Sequence, residues 1–214
     1  MSAATFRTAD GELARHPFAW GLFALALIGF PAWRYAVEPP LPADAFTLVP
    51  AFALTDQAGA AYGHDDLIGQ VTIVDFIFTR CKDVCPTLSS HMAALAGDLG
   101  AADAASPIRF LSISVDPDYD TPAVLSAYAQ RYGARPEQWR FVTGDRVLVD
   151  GLIEGLQQGL ERDPGTGEVP NIMHSQRFLL IDPMGGVRGL YSIDAEGLAA
   201  LRHDARALAG ATMW

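Results

Sequence analysis

Cysteine occurs at two of 214 positions, Cys81 and Cys85, too few to staple a domain of this size with disulfides. Composition therefore leaves their placement unexplained. Two thiolates brought together bind a soft cation, and the same two thiols can close to a disulfide. The segment TRCKDVCP follows an apolar run, VTIVDFIFT (71–79), and precedes TLSSHMAALAGDL, in which Leu88, Met92 and Leu95 stand at helical spacing. The pair is expected at a strand-to-helix junction, one turn apart on one helical face. At a helix amino end, free backbone amides and the dipole lower thiol pKa, and Arg80 and Lys82 push the same way.

Two sulfurs leave a metal site underdetermined, so a third ligand must come from elsewhere in the chain. Of five histidines, His16 borders an apolar segment and His203 sits among charged residues of a terminal helix. His91 lies six residues beyond Cys85, about 9 Å further along the helix and rotated away. His64, in a polar turn, stays open as a weaker candidate. His174 follows a long polar loop and immediately precedes the apolar segment QRFLLID (176–182). Two readings stand for it on these grounds, a ligand or a satisfied loop histidine. Met173 beside it is either a thioether donor or a packing residue.

Asp75 interrupts the apolar run six residues before Cys81. A buried carboxylate is costly unless paired or protonated, so Asp75 is either a tuner or proton acceptor for the thiols or a structural hydrogen-bonding group. Asp116, Asp118 and Asp120, in DPDYDTP, read as a capped, solvated turn, because the glycine-centred spacing of a calcium loop is missing.

The elements that must position these residues follow from pattern. VTIVDFIFT and IRFLSISV (108–115) read as central strands covered on both faces. Thr121 is placed to cap, and Pro122 to open, the helix TPAVLSAYAQRYG. WRFVTG (139–144) is a short third element, with a helix from Val147 to Gln158 after it and a polar loop from Glu161 to Met173. QRFLLID and MGGVRGLYSI form an antiparallel hairpin turning at Gly185 and Gly186. Asp194 caps a last helix with Leu198, Leu201, Ala205 and Leu208 on its apolar face, and residues 52–63 add an edge strand or small hairpin. The β-α-β-α order argues for a three-layer α/β domain.

Half the residues are hydrophobic and the formal charge is -10. That composition excludes a disordered solvating chain, and the acidity excludes a nucleic-acid footprint. Residues 18–33 carry sixteen uncharged residues in a row, extended toward Val37 by Arg34 snorkelling and by the aromatic residues Trp20, Trp33 and Tyr35. The expected organisation is a flank (1–17), one transmembrane helix (18–37), a proline-rich linker (38–45) and a folded domain (46–211). A cleaved signal peptide and a buried helix are the competing readings of the apolar run. The small Lys/Arg excess before it favours a cytoplasmic amino terminus, with the domain outside.

DFIFTRCKDVCP (75–86), SISVDPDYDTP (112–122), QRYG (130–133), WRFVTG and MHSQRFLLIDPMGGVRGLY (173–191), in this order, resemble the SCO/SenC family of membrane-anchored copper chaperones for cytochrome c oxidase assembly. The resemblance implies a thioredoxin-like domain with a central mixed sheet, preceded by one transmembrane helix in the bacterial inner membrane, the domain lying in the periplasm. It puts the family's cysteine pair on Cys81 and Cys85 and its copper histidine on His174, with Asp75 resembling the acid that thioredoxin-like redox proteins carry before their cysteines. Copper, as Cu(I) or Cu(II), is the implied ligand. The implied partner is a copper-containing oxidase subunit, with another copper chaperone or a thiol-disulfide protein beside it. Lys82 departs from the proline of many relatives; its ammonium favours thiolates but repels an incoming cation. The alternative activity is thiol:disulfide exchange through Cys81 and Cys85, reducing a partner's copper-binding cysteines.

Overall fold

The computed structural model describes residues 44–211, except 83, 101–106, 157, 164–170 and 175; the side chains of 160, 162, 163 and 171–174 also lie outside the description. The expected flank, transmembrane helix and nearly all of the linker fall outside the described residues. Among those described, no helix is long and apolar enough to cross a membrane.

The strands are β1 (Thr47–Leu48), β2 (Ala53–Asp56), β3 (Ala61–Gly63), β4 (Val71–Ile77), β5 (Ile108–Ser114), β6 (Trp139–Thr143), β7 (Leu160–Asp163), β8 (Asn171–His174), β9 (Arg177–Ile181) and β10 (Gly186–Ser192). The helices are α1 (Val84–Leu99), α2 (Pro122–Arg131), α3 (Arg146–Gly155) and α4 (Ala195–Ala211). Eight strands form one sheet in the order β1-β10-β9-β4-β5-β6-β2-β3. β4, β5 and β6 run parallel, whereas β9 is antiparallel to β4 and β10 to β9. The sheet is therefore mixed, as expected for the thioredoxin-like class.

β4 occupies the middle because five of its seven side chains are apolar, Thr72 and Asp75 being the exceptions, and all seven residues are buried. A strand covered on both faces needs helices above it. α1 and α4 both pack on β4 and touch each other, and α1 is tied to α2 by a 2.9 Å hydrogen bond between the Ser89 and Tyr128 hydroxyls. α2 begins as its sequence dictates: Thr121 accepts from the Val124 amide and Pro122 takes the first turn, a cap typically worth about 1 kcal/mol. The hairpin from β9 to β10 turns at Gly185, whose φ of 80° suits glycine, and carries a register irregularity between Val187 and Gly189.

Two expectations change. The polar segment after α3 is not a plain loop: β7 and β8 pair into a separate two-stranded ribbon. The acidic turn after β5 is not solvated throughout: Asp116 and Asp120 are buried, and Asp118 alone of the three is exposed, paired with Arg146.

Candidate functional site

β4 carries the chain to its carboxyl end, where the Cys81 amide donates to the Phe78 carbonyl (3.2 Å) and closes a tight turn. α1 starts only at Val84, so Cys81 lies in the turn and Cys85 in the first helical turn. The sequence expectation that both share one helical face is corrected accordingly. Neither cysteine is in a disulfide; Cys81 is partly exposed and Cys85 fully buried. Lys82 between them is exposed.

Burial decides the electrostatics of Cys85. Desolvation pushes its pKa far up; the Phe78 backbone offsets part of this, while the neighbouring Cys81 sulfur and the charge of Asp75 push further up. The helix amino end was expected to lower this thiol, but loss of water outweighs the dipole because the sulfur has no solvent face. Arg80 does not assist either. Its guanidinium is bound to Asp116 (2.6 and 3.0 Å) and lies 4.3 Å over the Tyr119 ring.

Asp75 is fully buried, and neither carboxyl oxygen has a hydrogen-bond partner of ordinary geometry. Desolvation raises its pKa to about 7, with Ser112, directly across the β4–β5 pair, offsetting part of the rise. The Ser112 hydroxyl also accepts the Trp139 indole N–H at 2.9 Å.

The loop after β5 holds the cysteine turn from the side. Asp120 accepts the Thr79 amide (3.1 Å), the Thr79 hydroxyl (2.5 Å) and the Ser114 hydroxyl (2.6 Å). Ser114 in turn accepts the Asp116 amide at 3.1 Å. Sequence reading missed these roles of Asp116 and Asp120; the available signal was Asp116 standing two residues beyond the buried strand β5, with Ser114 beside it as a ready donor.

The histidines separate by topology. His64 packs against Gly185 at the hairpin end of the domain, its Nδ1 buried and without a partner. Because Gly69 donates to the Pro183 carbonyl, that end lies at the start of β4, about 20 Å from its carboxyl end at 3.3 Å per residue. His203 pairs with Asp204 at 3.0 Å on the exposed face of α4. His174 closes β8, opposite Leu160. The β4–β9 register pairs Val74 with Leu179 and runs antiparallel, so the chain enters β9 from the cysteine end of β4. The side chains of His174 and Met173 lie outside the described residues. Among described residues, no group of three or more His, Cys, Asp or Glu is arranged to hold a metal ion.

The fold is shared with known proteins. The chain is 30% identical to the SCO1 protein homolog of Bacillus subtilis (strain 168) over 156 residues, 72% of each chain. A structure of Bradyrhizobium japonicum ScoI with copper bound superposes with a TM-score of 0.64 at 26% identity, covering 73% of this chain and 99% of that one. BsSco, a Sco-family cytochrome c oxidase assembly protein in which a disulfide switch was identified, superposes equally well at 26% identity over 79% of this chain and 96% of that one. The SCO1/SenC family model matches residues 42–209, spanning the sheet, the cysteine turn and the hairpin, and the chain belongs to the SCO1/SenC family.

Proposed function

We propose that this chain is a membrane-anchored copper chaperone that passes copper to a copper-containing subunit of cytochrome c oxidase during assembly. The carrying observation is the neighbouring pair of free thiols, one partly exposed, at the carboxyl end of the central parallel strand. The copper-bound ScoI relative supports the choice of cargo. The assigned ligands are Cys81, Cys85 and His174. Two sulfurs suit Cu(I), and an imidazole extends the set toward Cu(II). Residues 18–37 serve as the anchor and 46–211 as the copper-binding domain, on the periplasmic side of a bacterial inner membrane.

Copper enters as cargo, so the protein's own task is to exchange protons for metal. Cys85 is held as a thiol by its burial, and its proton must leave as copper arrives. Two thiolates around Cu(I) leave one net negative charge, which the exposed Lys82 moderates. β7 and β8 stand apart from the main sheet, so movement of this ribbon would withdraw His174 without disturbing the core. Release to a partner then proceeds by ligand exchange at the partly exposed Cys81.

Thiol:disulfide exchange is the second reading, favoured by the free pair and by the disulfide switch of BsSco. His174→Ala separates the two, because the imidazole serves the metal and contributes no sulfur. Copper retention, above all of Cu(II), should fall at least about tenfold, while two titratable thiols and exchange with a small disulfide persist. Unchanged copper binding together with full oxidase assembly by His174→Ala would sink the three-ligand chaperone and favour the reductase.

A further inference from the structure

The turn that ends at Cys81 is gripped in its middle. Phe78 and Cys81 form its two ends, closed by the 3.2 Å backbone bond. The Phe78 end meets the Cys85 sulfur through its backbone, and the other end carries the second sulfur. Between them, Thr79 gives both its amide and its hydroxyl to Asp120, a residue 41 positions away. Asp120 is wholly buried, and its remaining donor, Ser114, is fixed by the Asp116 amide. Arg80, the next residue, is tied to Asp116 of the same loop. Consecutive residues of the cysteine turn are thus strapped to the loop after β5.

We propose that Asp120 is a positioning residue: through Thr79 it holds the Phe78–Cys81 turn and so sets the effective concentration of one sulfur at the other. The inference deepens the proposed function by naming what presents the cysteine pair. β4 and β5 are already paired through seven registered positions up to Ile77 and Ser114, so the contact of Asp120 with Thr79 adds to the strand pairing rather than completing it. Its grip begins where that ladder stops. The carboxylate accepts three donors at once, two of them from a single residue. Asparagine keeps one strong acceptor for the Thr79 amide and can donate to a hydroxyl, so it should preserve part of the grip; alanine removes the acceptor of both partly buried Thr79 donors.

The test uses the full-length chain in detergent, equilibrated with reduced and oxidised glutathione, acid-quenched and counted by alkylation mass shift. In the reaction the Cys81 and Cys85 thiols give two electrons and two protons to one oxidised glutathione; a Cys81–Cys85 bond forms and two reduced glutathiones leave. Asp120→Ala should lower the equilibrium constant for this closure by about tenfold, with Asp120→Asn between it and the parent, because a loosened turn no longer pre-orients the sulfurs. Asp182→Ala, which removes a comparable buried carboxylate at the hairpin end, controls for general destabilisation and should stay within about twofold. An Asp120→Ala value within twofold of the parent, or an equal fall in Asp182→Ala, overturns the proposal. If Asp120→Ala does not fold, Asp120→Asn and Thr79→Val are held to the same criterion. The readout needs neither copper nor an oxidase, so a chain that failed to carry copper would refute the proposed function and leave this result to stand or fall alone.

Discussion

The two ends of β4 are each braced by a buried aspartate, and the partners of those carboxyls differ. At the hairpin end Asp182 accepts the Met184 and Gly186 amides, both at 2.8 Å, and pairs with Arg188 at 2.6 Å. Burial alone would raise its pKa, yet the Gly186 amide, Arg188 and the Met184 amide hold it below the usual carboxylate range. At the cysteine end the donors to Asp120 among the described residues, Thr79 and Ser114, are neutral, and burial raises it despite them. Asp75, deeper at the same end, has still less compensation. One end of the molecule is built around a settled charge. At the other, beside the Arg80–Asp116 pair, burial disfavours the charged forms of Asp75, Asp120 and the Cys85 thiol, which would suit the proposed exchange of protons for a cation.

The largest expected effect separates the ends by pH. For Asp75 the folded pKa of about 7 lies above the unfolded 3.8, so its contribution to stability is fully present below the unfolded value and is lost as pH rises to about 7. A shift of this size corresponds to roughly 4 kcal/mol. Asp75→Asn should therefore be more stable than the parent at pH 8, with that advantage gone at pH 4, in urea unfolding of the reduced metal-free protein. Parallel pH profiles for the two proteins would remove Asp75 from this account.

Copper uptake sharpens the contrast further. Because burial keeps Cys85 protonated, Cu(I) affinity should rise by about tenfold or more per pH unit between roughly pH 6 and 8. Cys85→Ser should cost about 100-fold or more in competition titrations against a chromophoric Cu(I) chelator. A pH-independent affinity would mean that Cys85 is not a ligand.

Asp182→Ala gives the smallest effect and the opposite pH sign. Loss of the carboxylate that accepts two backbone amides and pairs with Arg188 should destabilise the fold by about 2 kcal/mol at neutral pH, with Cu(I) affinity unchanged within about twofold. Since its folded pKa is depressed, the native Asp182 contributes stability above the unfolded value and loses it as pH falls through the folded one, so the variant's deficit should shrink in acid. A deficit that grew below pH 4 would reverse the comparison.

Sequence pattern sufficed where burial and periodicity agree. VTIVDFIFT became the fully buried β4, Thr121 and Pro122 opened α2, and the hairpin turned at Gly185. It fell short where tertiary partners decide. β1 is two residues long and exists through its pairing with β10, and β7 and β8 are too polar and short to signal a ribbon. The cysteine pair was legible as a candidate site, but its local geometry was not: four-residue spacing fits a helical turn, and only the late start of α1 at Val84 puts Cys81 outside it. The direction of the Cys85 shift could not be read because dipole and desolvation oppose each other, and the winner depends on how the turn closes over the sulfur. Asp116 and Asp120 read as surface acids because the donors Arg80 and Thr79 come from a segment 36 to 41 residues earlier.

Trp139 turns the interior of this domain into something that can be watched with light. Its ring is buried and stacked on Phe141 at 4.9 Å, and its indole N–H ends on Ser112, the residue facing Asp75. Ionisation of that carboxyl changes the electric field along the indole and the polarity of the hydroxyl it leans on. The difference in emission between the parent and Asp75→Asn is therefore an optical record of the proton behind the cysteines, obtained without a label and without touching either sulfur.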